Sequence, residues 1–261
     1  MEIENNEKQV SGVARAITIL EALSNVESIN LENLSKQTNI PKATLLRFLQ
    51  SLHQLGYVNR DTADMYSLTL KMFAVGSKAL RHTDLINTAR PFAKELCAYF
   101  GETVHMGILD GDSATYVIKE ESSYTLRMYS RIGKMIPLYC TAIGKIFLSD
   151  MKERDLNEYF ETHNLKPFTK NSINTKEGLL EELKKVKERG WSIDNEEHEE
   201  NVICIASPVF DHTRRVIAAL SVSWPIFRFE KEKMDEYISK IKEVTSSVSN
   251  IMGYDPSETE D

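Results

Sequence analysis

The chain has 261 residues, 41% of them hydrophobic and 27% charged, with a formal net charge of −7. That length suits one large or two modest domains. No stretch approaches the ~18 consecutive apolar residues of a membrane span, and the polar, acidic Met1–Val10 lacks a signal peptide's apolar core, so a cytoplasmic protein with no membrane partner is expected. The three cysteines, Cys97, Cys140 and Cys204, are far apart and none sits in a C-x-x-C pair. They argue against a disulfide framework and give no support for a structural zinc site, so neither a metal nor a cofactor is expected. The charge is uneven. Residues 10–82 hold eight Lys/Arg against five Asp/Glu, whereas residues 83–261 hold 23 against 31. A mildly basic N-terminal part ahead of an acidic body points to two domains with different partners.

Val13, Ala16, Ile17, Leu20 and Leu23 recur at helical spacing behind Ser11, a suitable N-cap. Asn30 can cap a second helix over Leu31–Thr38, and Asn39 tolerates the left-handed conformation that ends helices. Pro41 suits the start of a third helix that runs to about Leu55 and stops at Gly56. Two short helices about a tight turn read as a helix-turn-helix. On the third helix, Leu45, Phe48, Leu49, Leu52 and Leu55 form the side that meets the core. Ala43, Leu46, Arg47, Gln50 and Gln54 lie opposite, a face with no carboxylate to repel phosphate. Arg47 can reach guanine O6/N7, Gln50 adenine N6/N7, and Ala43 or Leu46 a thymine methyl. Lys42 and Thr44, on the first turn, suit phosphates. Tyr57–Arg60 and Met65–Leu68 flank Asp61-Thr62-Ala63-Asp64, a strand-turn-strand pattern that makes a wing from which Arg60 and Tyr66 can reach a phosphate or groove. At this level a protein-interaction module with solvated Arg47 and Gln50 fits the same pattern.

Leu68–Leu80, with Leu70, Met72, Phe73 and Val75, reads as a connector helix or a plain core helix. Asp84 can cap a helix with Leu85, Ala89, Phe92, Leu96 and Tyr99 inward, ending near Gly101. Thr103–Leu109 and Ala114–Lys119 are strand-like about the turn Asp110-Gly111-Asp112. Thr125–Ser130 reads as another strand, Arg131–Leu138 as a loop and Thr141–Leu148 as a short helix. Thr175–Arg189 is an amphipathic helix stopped by Gly190. Val202–Val209 and Val216–Ser223 are apolar strands, Lys231–Met252 is a closing helix, and the residues after Gly253 are acidic and loose. Runs of strands flanked by helices make an α+β domain with an antiparallel sheet.

Some segments of this larger domain read as more than scaffold. The helix opening at Thr141–Gly144 presents free N–H groups that attract a carboxylate ligand. Cys204 with Ala206, and Ser221 with Ser223, share strand faces and can line a pocket or simply pack. Five acids crowd Asp194–Glu200, which reads as a solvated loop because unpaired carboxylates stay wet. Cys204 reads as a buried thiol, and His105 and His198 as surface or satisfied core groups. With no Ser-His-Asp order, phosphate loop or dinucleotide fingerprint, catalysis has little support.

The stretches Val13–Glu21, Ile40–Leu49 and Leu55–Val58 resemble the winged helix-turn-helix of the IclR family of bacterial transcription regulators. Gly190–Glu197, Val202–Asp211 and Val216–Ser223 are similar to the family's GAF-like effector domain. The resemblance spans about residues 10–253 and implies a winged helix-turn-helix over 10–69, a linker helix over 70–84 used for dimer contact, an effector domain over 85–253 and an acidic tail over 254–261. It implies a regulator that is not an enzyme. The partners implied are a palindromic double-stranded DNA operator, a small organic acid effector, and a second copy of the chain in a homodimer or a dimer of dimers. Carried over by motif, the effector contacts are Met128, Ile136, Ala142, Ile143, Asp194, Val202, Cys204, Ser221 and Ser223. Leu126–Gly133, Ile136–Lys145, Asn195–Glu200 and Phe227-Arg228-Phe229 are similar to the branch that represses pectin degradation, whose effector is 2-keto-3-deoxygluconate. The expectation is therefore a repressor of sugar-acid catabolic genes. An activator of the same family, or a small-molecule-binding enzyme or sensor that does not bind DNA, stands as the alternative. Family members usually carry glycine at Asn201 and near Arg214. Asn201 can still turn left-handed, whereas Arg214 disfavours a tight glycine-type turn.

Overall fold

The computed structural model describes residues 12–80, 84–125 and 129–257, and the side chains of these except 76–80. The chain forms two compact units that divide between residues 83 and 84.

The first unit begins with α1 (Gly12–Ser24), β1 (Ile29–Asn30), α2 (Leu31–Thr38) and α3 (Lys42–Gln54). It continues with β2 (Val58–Arg60), β3 (Met65–Leu68) and α4 (Leu70–Leu80). The turn between α2 and α3 is built by side chains. The Asn30 side chain accepts from Asn33 N at 2.9 Å, and Asn39 takes φ 55° as the left-handed cap. Ser35 Oγ donates to the Ile40 carbonyl at 2.7 Å, which ties the turn to α2. Ile19, Leu23, Leu34, Leu45, Leu49, Leu52 and Val58 form the core. β1, a strand the helical pattern does not reveal, pairs with β3, and β3 with β2, in a small antiparallel sheet.

Three helical stripes are shorter in the structure than their periodicity predicts. Val13 and Ile17 of α1 are exposed, and the buried set is Ile19, Ala22 and Leu23. Leu55 is exposed because α3 ends there and the chain turns away at Gly56, φ 78°. On α4, Leu70, Phe73 and Val75 are exposed, Phe73 by 71%, so this helix is no core helix within one chain. Ser11, the expected cap of α1, lies outside the described residues.

The second unit runs α5 (Leu85–Phe100), β4 (Thr103–Asp110), β5 (Ser113–Glu120), β6 (Met135–Pro137), α6 (Ala142–Asp150), α7 (Glu153–Thr162) and α8 (Lys176–Arg189). Then come β7 (Ser192–Asn195), β8 (Val202–Phe210), β9 (Val216–Pro225) and α9 (Met234–Ile251). The strands form one antiparallel sheet in the order β6-β5-β4-β9-β8-β7. The fold is thus α+β, with an N-terminal helix-turn-helix unit. Asp84, Thr141 and Thr175 cap α5, α6 and α8 with their side chains, and Gly101 and Gly190 close α5 and α8 left-handed. The loop expected over residues 131–138 contributes the edge strand β6, and α7 and β7 also add to the predicted elements. The strand expected over Thr125–Ser130 does not form at Thr125, Tyr129 or Ser130; its middle lies outside the described residues. Tyr99 is exposed, its hydroxyl donating to Glu236 at 3.0 Å, because α5 is ending and only its inner stripe reaches the sheet. The helix expected to start at Lys231 begins instead at Met234, after a short 3-10 turn.

Strand alternation sorts the two faces. Val104, Met106, Leu220 and Val222 pack under α5 and α9 with Leu96, Ile241 and Val248. The opposite face carries small residues, Gly107, Cys204, Ala206, Ala219, Ser221 and Ser223, and receives α6. A Cβ on Gly107 would lie 2.9 Å from Ile143 Cγ2, and one on Gly144 would lie 2.3 Å from Leu138 Cα. Glycine at 107 lets α6 sit this low on the sheet, and glycine at 144 lets it pack on the backbone of the turn that leads into it. Arg214 takes φ 62° despite its side chain. Asp211 holds that turn, its Oδ1 accepting from Thr213 N at 2.8 Å and its carbonyl from Arg214 N at 2.9 Å. Asn201 turns left-handed at φ 64°. Tyr254 is anchored by stacking on Phe210 at 4.9 Å, so the chain just after Gly253 is packed; the last four residues lie outside the described set. Among the described residues no helix is long and apolar enough to cross a membrane, and no group of His, Cys, Asp and Glu is arranged to hold a metal ion.

Candidate functional site

On α3 the structure exposes Lys42, Ala43, Arg47 and Gln50 together, with Thr44 and Leu46 half-buried beside them. Leu45, Leu49 and Leu52 anchor the opposite side. Lys42 lies 3.7 Å from Glu32 of α2, so one carboxylate does reach the edge of this face from a neighbouring helix. Arg60, at the tip of the wing, is exposed but paired to Asp64 at 2.7 Å. Tyr66 departs from expectation. It is 3% exposed, because pairing opposite Ile29 and Arg60 turns it to the inner face of the small sheet. It is a core residue over which the Arg60 guanidinium lies at 5.8 Å from the ring centre, and it is not available to DNA.

The second unit holds a cavity at the start of α6. Cross-strand register builds its floor. Asp194, Cys204 and Ser223, which line it, lie opposite one another across β7, β8 and β9. The next row is Ser192, Ala206, Ser221, His105 and Lys119, of which Ser221 and His105 line the cavity. Directly paired residues share a face, so polar and small side chains from separate strands meet under the first turn of α6. That turn is fixed from both ends. Thr141 Oγ1 accepts from Gly144 N at 3.1 Å and donates to the Pro137 carbonyl at 2.6 Å. Ser192 Oγ donates to the Ala142 carbonyl at 2.5 Å.

Ile136, Ala142, Ile143, Asp194, Val202, Cys204, Ser221 and Ser223 all line this cavity, and Met128 lies outside the described residues. Sequence reasoning missed His105, Tyr116, Tyr129, Ser130, Lys134, His198 and Glu199 as part of the lining, whereas Thr141 belongs to the helix start expected to meet a carboxylate. For His105 a signal was available, since it precedes Gly107 by two and so shares its strand face. Tyr116 lies on β5, and the others come from loops whose course no local pattern fixes. About 540 Å³ of space between atoms, much of it open to solvent, lies within and above this cleft.

The acidic run is not the solvated loop expected of it. Asp194 and Glu197 are buried, because Lys145, itself 0% exposed, reaches from α6 to Glu197 Oε1 at 2.5 Å. Burial holds the Glu197 carboxyl above its ordinary range, against the pull of Lys145. Asp194 Oδ1 accepts from Glu197 N at 2.7 Å and from His198 N at 3.3 Å. Burial nevertheless outweighs those bonds and pushes the Asp194 carboxyl up to about 7. The Cys204 thiol, which donates to Ser223 Oγ at 3.2 Å, is pushed up by burial and is no nucleophile at neutral pH. Burial lowers both cavity histidines, His105 to about 3, so each is a neutral imidazole. The cavity therefore offers neutral hydrogen-bonding groups, a helix N-terminus for a carboxylate, the cation of Lys134, and the carboxyl groups of Asp194 and Glu199.

The family description "IclR helix-turn-helix domain" matches residues 12–62, and "Bacterial transcriptional regulator IclR C-terminal" matches residues 77–250. The chain is 41% identical over 254 residues to the HTH-type transcriptional regulator KdgR of Escherichia coli (strain K12), covering 97% of each. It is 31% identical to XynR of the same organism over 94% of this chain and 98% of that protein. In structure it resembles the Thermotoga maritima IclR, with TM-score 0.63 and 31% identity over 93% of this chain and 98% of that one. It also resembles the C-terminal domain of E. coli KdgR, with TM-score 0.60 and 40% identity over 66% of this chain and all of that one.

Proposed function

This chain belongs to the IclR family of bacterial transcriptional regulators, and on that premise we propose that it represses sugar-acid catabolic genes and releases its operator when a 2-keto-3-deoxygluconate-type acid enters the cavity. The observation that carries this reading is the convergence, in one cavity, of side chains from β6, α6, β7, β8 and β9 around a helix N-terminus suited to a carboxylate. The segments resembling the pectin-degradation branch, and the 41% identity to KdgR, support the choice of acid. The exposed Lys42, Ala43, Arg47 and Gln50 support major-groove reading by α3. Bare apolar residues on α1 and α4, Val13, Ile17, Leu70, Phe73 and Val75, support a dimer. A two-fold dimer would present two copies of α3 about one DNA turn apart. The acid releases DNA only if it favours one arrangement of the dimer over another.

Anisotropy titration of promoter fragments from neighbouring sugar-acid operons, at two salt concentrations, tests this. Binding should weaken steeply with salt and be reversed by 2-keto-3-deoxygluconate. Absence of salt-sensitive binding to any such promoter would refute the regulator reading. In the same assay Arg47→Ala should cost about 1–3 kcal/mol at one base position; equal affinity across all site variants would place Arg47 outside the readout.

The acid's affinity should depend on pH through Asp194. This carboxyl, pushed up to about 7, faces the cavity among Lys134, His198, Glu199 and the Lys145–Glu197 pair. An anionic ligand prefers it protonated, so affinity should fall as pH rises from 6 to 8, by at most about tenfold per pH unit for one linked proton. Asp194→Asn should flatten the profile in calorimetric titration. The same slope in the variant would exclude Asp194 as the linked group.

A further inference from the structure

We propose that His105 reads a hydroxyl on the far part of the ligand, so that the cavity selects a five- or six-carbon hydroxylated acid over a short 2-keto acid; this rests on the cavity being the effector site. His105 is 2% exposed and lines the cavity. Its ring stacks on Tyr116 at 4.4 Å, and Nε2 pairs with Ser130 Oγ at 2.7 Å. Nδ1 is buried with no hydrogen-bond partner among the described residues. Orphaned buried nitrogens are rare, because an unmade hydrogen bond there costs as much as the group's desolvation. The ring therefore lacks one partner that a ligand oxygen would supply.

The chemistry of that partner follows from charge. Burial and the nearby Lys119 and Lys134 keep the imidazole neutral, so one ring nitrogen donates and the other accepts; a hydroxyl can pair with Nδ1 in either tautomer, whereas a carboxylate can pair with it only when Nδ1 carries the proton. Tyr116, Ser221 and Ser130 bring further hydroxyls to the same cavity. The distance follows from the sheet. Ile143, in the first turn of α6, rests on Gly107, and His105 lies two residues back on the same face of β4. Two residues of strand separate the two points by roughly 7 Å. A carboxylate at the start of α6 thus leaves His105 within reach of the distal hydroxyls of a six-carbon acid and out of reach of a three-carbon one. Ser130 lies on the segment that also brings Tyr129 to the cavity, and Lys119 Nζ donates to the Ser130 carbonyl at 2.8 Å. A ligand bonded to His105 is thereby linked to the placement of that segment.

The test is calorimetric titration of the full chain with 2-keto-3-deoxygluconate and with pyruvate. The wild type should favour the longer acid by about 10- to 100-fold, the span expected for one buried hydrogen bond left unmade. His105→Phe keeps the stack on Tyr116 and should collapse that ratio toward one. His105→Gln, which retains polar atoms, should keep much of it and guards against a folding defect in the first variant. A ratio unchanged in His105→Phe, or equal losses for both acids, would overturn the proposal while leaving the effector site standing. A wild type that binds neither acid would overturn the effector reading and this inference with it.

Discussion

Replacing Lys145 by methionine should destabilise the second unit by about 3–5 kcal/mol at neutral pH, the usual consequence of leaving a buried partner charge uncompensated. Lys145 is fully buried in α6, and Glu197, on the loop after β7, is buried against it. The pair joins the helix that forms the cavity roof to the acidic segment that forms its rim. The loss should depend on pH with a defined sign. The Glu197 carboxyl already titrates above its ordinary range because of burial, and without Lys145 it rises further. A folded-state value raised above the unfolded one favours folding while the group is protonated, below the unfolded carboxylate range, and that gain is lost as pH rises through the folded value. The variant should therefore be least impaired near pH 4 and most impaired above neutrality. Urea unfolding at several pH values measures this. Lys145→Met/Glu197→Leu should recover most of the loss, because removing both charges leaves no orphan. A cost below about 1 kcal/mol for the single variant at pH 7, or no recovery in the double, would contradict the account.

Gly144→Ala should act on the same helix through sterics. The added Cβ would lie 2.3 Å from both Cα and O of Leu138 and 2.6 Å from its carbonyl carbon, all backbone atoms. No side-chain rotation relieves that, so α6 must lift from the turn that follows β6. Overpacking of a core costs about 1–3 kcal/mol, and a clash against rigid backbone belongs at or beyond the upper end. Effector affinity should fall by more than stability implies, because Thr141, Ala142 and Ile143 line the cavity from that same turn. Parallel denaturation and calorimetric titration separate the two effects. A variant with native stability and native affinity would show that α6 has slack that the packing does not reveal.

Much of the architecture was legible because its signals are local. Asn30, Asn39, Asp84, Thr141, Thr175 and Gly190 each act on backbone groups within about one turn, and each sits in the structure where its chemistry places it. The outer face of α3 was readable for the same reason, since 3.6-residue periodicity and the absence of carboxylates are properties of one segment. Short edge strands were not readable: β1 and β6 have two and three residues, too few for alternation to register, and exist because a partner strand accepts them.

Periodicity marks the apolar side of an element and leaves open what comes to cover it. Val13, Ile17, Leu55 and Phe73 continue apolar stripes past the point where any neighbour within one chain meets them. Tyr66 was misplaced because its side was chosen by a pairing with Ile29 that lies 37 positions away in sequence. The cavity is the extreme case. Asp194, Cys204 and Ser223 are scattered along the chain and become neighbours through register across three strands. The acidic run looked solvated because Lys145, some fifty residues earlier, is brought to it only when α6 settles on a sheet face of glycine, alanine and serine. Backbone preferences are set by adjacent residues and survive in any context, whereas burial, ion pairing and perturbed acidity belong to long-range contacts that exist only once the sheet has closed under α6.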